Sequence, residues 1–293
     1  MHWYLLLFVA TALYSVQFVF LKSYQRARGT GLSASLAFNG GAALVQLLLF
    51  LCLCGFRFSV TAFSLGIAAL FSVATVAMTV VGIRSLAYVQ LSQYTFFTML
   101  GGMLLPFAYG LGTGEAVSWQ RWIGLALIAA ALLIAAGEFR RVRFAGALCC
   151  VAVFVCNGSF GILTKWHQSS ANAVPPVDFM LLCSALTAAL CIAALPFACA
   201  NAKNSALSRR AGERSERLLA PACALGYAAV NGCAQLLVTL CATYVNASVQ
   251  YPIITGGCVF LSALTGLFFG EKLAVRTVIR IVLVAAGTVL FLF

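Results

Sequence analysis

Asn231 and Gln235 stand four residues apart in a stretch that is otherwise almost wholly apolar. In a helix that spacing puts both amides on one face. Similar side chains punctuate other apolar stretches. Asn39 and Gln46 are two helical turns apart, and Thr75 and Thr79 are one turn apart. Gln90, Gln93 and Tyr94 share a face, Gln250 and Tyr251 are adjacent, and Tyr14, Gln17 and Asn157 stand more alone. Amides and phenols donate and accept hydrogen bonds without fixed charge. A cavity lined by them suits a neutral or zwitterionic solute and leaves a bare cation without a counter-charge. Lys22 and Lys165 lie near the ends of their stretches. At the mouths of such a cavity they would favour anionic groups such as a carboxylate.

The candidate binding set is therefore Tyr14, Gln17, Lys22, Asn39, Gln93, Tyr94, Asn157, Lys165, Asn231, Gln235, Gln250 and Tyr251. The same residue types also glue helices together inside membranes, at about 0.6 kcal/mol per interhelical bond. Lysines near helix ends also snorkel to the headgroups. For any one residue both readings stand.

The residues are positioned by long apolar runs. Spans 3–22, 32–54, 63–86, 91–111, 119–137, 144–166, 177–200, 218–243, 248–269 and 274–293 each hold about twenty mostly uncharged residues, enough for a helix to cross a bilayer core. The expected fold is an all-α integral membrane protein with ten transmembrane helices, multi-pass in the plasma (inner) membrane. Composition agrees. The chain is 63% hydrophobic and 8% charged, with mean hydropathy +1.04, whereas soluble domains carry about 25% charged residues.

The net charge of +12 would fit nucleic acid, but the basic residues sit in short loops at helix ends. That pattern fits lipid headgroups and topology signals, so no nucleic-acid partner is expected. The cysteines lie mostly inside apolar runs without a CxxC pair and read as small buried hydrophobes. His2 and His167 are isolated at span ends, and no carboxylate lies deep in a span. Neither a catalytic constellation, a metal site nor a cofactor is expected, and the chain does not read as an enzyme. The first span lacks a basic segment before it and reads as retained.

An internal repeat organises the chain. Tyr88, Ser92, Gly101 and Gly114-Glu115 recur as Tyr244, Ser248, Gly257 and Gly270-Glu271 at one constant offset. Ala129-Ala130 recurs as Ala285-Ala286 in the same register, while Lys22 and Gln25 match Lys165 and Gln168 at a smaller offset. The Arg-rich loop 201–217 supplies the difference. Two five-helix repeats follow, 1–138 and 139–293. An odd number of helices inserts the second repeat upside down, the arrangement typical of transporters with a site near the midplane. The positive-inside rule places the Arg-rich loop in the cytoplasm and both termini outside it.

Tyr14-Ser15-Val16-Gln17-Phe18-Val19-Phe20-Leu21-Lys22 resembles the helix 1 signature of the drug/metabolite transporter superfamily, EamA type, which reads roughly W-G-S-N-F-V-x-x-K. Leu86-Ala87-Tyr88 through Gly114-Glu115 looks like that family's helix 3/4 region. Tyr244 through Gly270-Glu271-Lys272-Leu273 resembles the second copy. Tyr14, Ser15 and Gln17 replace the usual Trp, Gly and Asn. The resemblance implies a central cavity lined by helices 1, 3, 4, 6, 8 and 9, with 2 and 7 flanking and 5 and 10 peripheral.

The resemblance also implies a secondary active transporter, an exporter or exchanger, of a small polar or amphipathic metabolite such as an amino acid. Partners would be that solute and membrane lipids, and a homodimer is compatible. The alternatives are multidrug or quaternary-ammonium efflux, and a non-transporting scaffold or sensor.

Overall fold

The computed structural model describes residues 2–28, 31–85, 88–89, 91–136, 144–202, 214–268 and 275–292. Among the described residues there are ten helices and no strand. They are α1 (His2–Arg28), α2 (Leu32–Leu53), α3 (Ala62–Ser85), α4 (Leu91–Gly112), α5 (Trp119–Ala136), α6 (Phe144–Ser169), α7 (Pro176–Ala202), α8 (Arg214–Ala242), α9 (Ala247–Phe268) and α10 (Val275–Leu290). Seven of them (α1, α2, α3, α4, α6, α7 and α8) are long and apolar enough to cross a membrane. The described apolar stretches of α5, α9 and α10 are shorter, at Trp119–Ile134, Ala247–Leu261 and Ile281–Leu290.

The outer surface agrees with a lipid solvent. Phe144 is 86% exposed, Phe197 75% and Trp119 68%. Soluble monomers rarely expose contiguous apolar surface on this scale. The coarse expectation of a helical, membrane-embedded protein is therefore met.

Local chemistry sets several helix ends. Thr61 Oγ1 accepts the Ser64 N–H at 3.1 Å and caps the start of α3. Pro176 opens α7, where its missing N–H costs nothing. α4 ends in a Schellman turn, with Gly114 N–H donating to Leu111 O at 3.1 Å and Glu115 N–H to Gly110 O at 2.9 Å. Gly114 has φ +84°, a conformation that only glycine adopts without strain. The Gly-Glu pair seen in the sequence thus has a backbone reason for its first member.

Packing pairs α1 with α8, α2 with α7, α4 with α6 and α5 with α10 most extensively. α3 lies against α6 and α7, and α9 against α4, α1 and α10. Two large apolar cores and two smaller clusters result. One gathers Leu7, Phe96, Met103, Phe107, Ile128, Ile253 and Phe291 from α1, α4, α5, α9 and the turn after α10. The other gathers Phe50, Phe71, Phe179 and Met180 from α2, α3 and α7. The α4–α6 crossing is close, because a Cβ at Gly101 would fall on the Phe154 backbone and one at Gly158 on Leu105 and Gly101 O.

Candidate functional site: a polar cavity between α2, α3, α7 and α8

A half-open cavity of about 70 Å³ lies between these four helices. Its walls are Asn39, Ala42, Ala43 and Gln46 of α2, Phe71 and Thr75 of α3, Cys183, Ser184 and Thr187 of α7, and Tyr227, Asn231 and Gln235 of α8. Most of these residues stand well inside their helices, away from the loops. The position follows from composition. Small residues on α2 (Ala42, Ala43) leave space that the facing helices line with short polar groups.

Most of the polar lining is committed to its neighbours. Asn39 Nδ2 donates to Thr79 Oγ1 at 2.7 Å, and Thr79 in turn donates to Thr75 O at 2.9 Å. Gln46 Nε2 donates to Asn231 Oδ1 at 3.0 Å, and Asn231 Nδ2 donates to Gln17 Oε1. That chain of amides ties α2, α8 and α1. Thr187 Oγ1 donates to Ser72 Oγ at 3.1 Å, joining α7 to α3. Ser184, Tyr227 and Gln235 have no side-chain hydrogen bond among the described residues. Ser184 is buried and Tyr227 and Gln235 are half-buried, so three open polar groups on one cavity wall mark where an occupant would bond. Ser184 is only 5% exposed.

The sequence-predicted residues divide. Asn39, Asn231 and Gln235 line the cavity, and Gln17 reaches it through Asn231. Asn157 instead donates to Thr98 O at 2.7 Å, joining α6 to α4. Tyr251 donates to Gly161 O at 2.9 Å, and Tyr14 packs in the same small cluster as Tyr251. Gln250 Nε2 donates to Val238 O at 2.7 Å, while its Oε1 is buried without a partner. Tyr94 lies against Gly82 of α3. The side chains of Lys22 and Gln93 lie outside the described residues, as do Gln90 and Glu271.

The cavity therefore sits between α2, α3, α7 and α8, where the sequence pointed to helices 1, 3, 4, 6, 8 and 9. Ser184, Thr187 and Tyr227 did not stand out in sequence. A serine or threonine in a membrane helix usually bonds its own backbone, and only the packing shows that these face a void.

Lys165 has a different setting from a cavity mouth. Its ammonium donates to Ala242 O at 2.9 Å and Val245 O at 2.7 Å, at the end of α8 and in the turn that follows. It lies 4.0 Å from Glu115 Oε1. Glu115 accepts the N–H groups of Ala247 and Ser248 at 2.9 Å each, so it caps the start of α9. The two charges staple the α8–α9 turn from either side, and their side chains are 13% and 10% exposed.

A second polar cluster holds the neighbouring ends. His167 Nε2 and Ser64 Oγ are 2.8 Å apart, Gln168 Nε2 is 3.0 Å from His167 Nδ1, and the imidazole stacks on Phe179 with centroids 3.8 Å apart. Asp178 accepts the Ser59 N–H at 2.8 Å. His167, isolated in the sequence, is thus bonded on both ring nitrogens. Both His167 and Ser64 are fully buried, so this pair is not placed to meet a substrate.

No family model and no curated protein matches the chain. A solved structure described only as "Crystal structure of protein" superposes on it with a TM-score of 0.69, covering 98% of this chain and 94% of that one at 16% identity. At that identity the likeness shows a shared fold along the whole chain and carries no information about activity.

Proposed function

We propose that this chain is a secondary active transporter, an exporter or exchanger, that carries a small polar metabolite by alternating access. The observation that carries the reading is a half-open polar cavity set between apolar helices. Polar groups are costly there unless they serve packing or a solute. Three of these have no side-chain hydrogen bond among the described residues.

The proposed architecture is that of a ten-span, EamA-like drug/metabolite transporter, built as two inverted five-helix repeats in the plasma membrane. Packing supports it. Adding five to each helix number in the first half, and subtracting five in the second, maps the contacts onto one another. The α1–α8 contact becomes α6–α3, α4–α6 becomes α9–α1, and α3–α7 becomes α8–α2. The contacts α2–α7, α5–α10 and α4–α9 map onto themselves. This is the pattern a two-fold relation between five-helix halves produces, and the repeated Tyr, Ser and Gly-Glu positions in sequence agree with it.

Volume favours a second reading. Ligand pockets commonly reach about 300–1,000 Å³, and this cavity is about 70 Å³. A chain that never opens further would be a scaffold or sensor. Quaternary-ammonium efflux is disfavoured, because no charged side chain lines the cavity among the described residues.

The test is counterflow in proteoliposomes with labelled amino acids, nucleosides, sugars and small amides. At least one should accumulate, and Gln235→Leu should cut that flux at least tenfold while the protein remains folded. No accumulation of any solute by folded wild-type protein rejects the transporter reading.

A further inference from the structure

We infer that the cavity between α2, α3, α7 and α8 takes an uncharged solute that both donates and accepts hydrogen bonds. This rests on the proposed use of that cavity as the solute site. It narrows the expected class by removing zwitterions such as amino acids.

The argument begins with what is left unpaired. Ser184 and Tyr227 each offer a hydroxyl, and Gln235 offers an amide with an acceptor oxygen and two donor hydrogens. A solute satisfying all three needs both kinds of group. It needs no charge, and it meets none: the described lining holds no Lys, Arg, Asp or Glu.

One of the two lysines that argued for a carboxylate is accounted for, the side chain of Lys22 lying outside the described residues. Lys165 is spent on two carbonyls of the α8–α9 turn and on Glu115. Helix termini cannot substitute, because the three groups lie within α7 and α8, away from the ends with their free N–H groups. The aromatic rings nearby are engaged too, Phe71 with Phe160 and Tyr227 with Phe38. A zwitterion would bury two unpaired charges here, which is more costly than burying one.

Size sets the scale of the first probes. One water needs about 10–15 Å³ of such space, so a cavity of about 70 Å³ has room for only a few. Small amides and polyols match it.

The experiment uses full-length protein in detergent and four probes of similar size: propionamide, propionate, propylammonium and β-alanine. Ligand binding raises thermal stability by mass action, so the concentration dependence of Tm gives relative affinity. Propionamide should bind at least tenfold tighter than each charged probe, and Gln235→Leu and Ser184→Ala should each weaken it at least fivefold. The inference is overturned if β-alanine or either ion binds within tenfold of propionamide. It is also overturned if propionamide gives no shift, or if its shift is unchanged in both variants. Proteoliposome counterflow separates this from the transport reading. Amide binding without flux of any solute keeps the uncharged-solute class and removes transport. Flux of β-alanine without amide binding keeps transport and removes the class.

Discussion

Replacing Glu115 by glutamine tests whether the staple at the α8–α9 turn contributes to stability. The carboxylate accepts two backbone N–H groups at 2.9 Å. A glutamine keeps one acceptor oxygen but turns an NH₂ toward the other N–H. One charge-assisted hydrogen bond is lost, worth about 1.5–3 kcal/mol. Lys165 also loses the opposite charge 4.0 Å away. At an effective dielectric constant near 20 that attraction is about 4 kcal/mol before desolvation is subtracted. Desolvation offsets most of it, and Lys165 keeps its two carbonyls.

The expected net loss for Glu115→Gln is therefore about 2–3 kcal/mol. Lys165→Met should lose a similar amount, by freeing two carbonyls and leaving Glu115 buried without its cation. Because both variants break one unit, the double variant should fall short of the sum by about 1 kcal/mol or more. Reversible unfolding in mixed micelles with rising denaturing detergent measures all four proteins. A Glu115→Gln loss below about 0.5 kcal/mol, or strict additivity, would refute the staple as an energetic unit.

Other outcomes follow from the same geometry. Gly114→Ala, forced to φ +84°, should cost about 1 kcal/mol or more in the same unfolding assay. Gly158→Leu should abolish folded, monodisperse protein on size exclusion, because its side chain would occupy the space of Leu105 and the α4 backbone. His167→Ala should cost about 2–4 kcal/mol, since it removes a buried ring stacked on Phe179 and one of the hydrogen-bond partners of Ser64, which keeps Thr61 and Val174. Topology reporters fused after Arg57 and after Arg210 should read on opposite sides of the membrane, the second in the cytoplasm; matching readouts would remove the proposed orientation.

The helices were legible in the sequence because their signal is additive. Twenty apolar residues bounded by Arg, Gly or Pro define a segment whatever it packs against, and the bounds of α2, α5 and α7 fall within two residues of the expected ones. The site was only partly legible. Helical spacing showed that Asn231 and Gln235 share a face, and both do line the cavity. Spacing cannot show which neighbour a face meets. Asn157 and Tyr251 carry the same chemistry as Asn231, yet each meets a backbone carbonyl on an adjacent helix. Tyr227 was hidden because one more aromatic among many carries no periodic signal.

The amide chain from Gln17 through Asn231 to Gln46 also has a meaning in time. A membrane protein is made from its first residue onward, and α1 and α2 enter the bilayer long before α8 exists. Gln17 and Gln46 therefore reach hydrocarbon some two hundred residues ahead of the asparagine that joins them. Until then each must borrow a partner, from its own backbone, from the other or from the insertion machinery. Arrival of α8 replaces those loans with one bonded line across three helices. The bonded line across α1, α2 and α8 is thus completed only once residue 231 has been made and its helix has joined the other two.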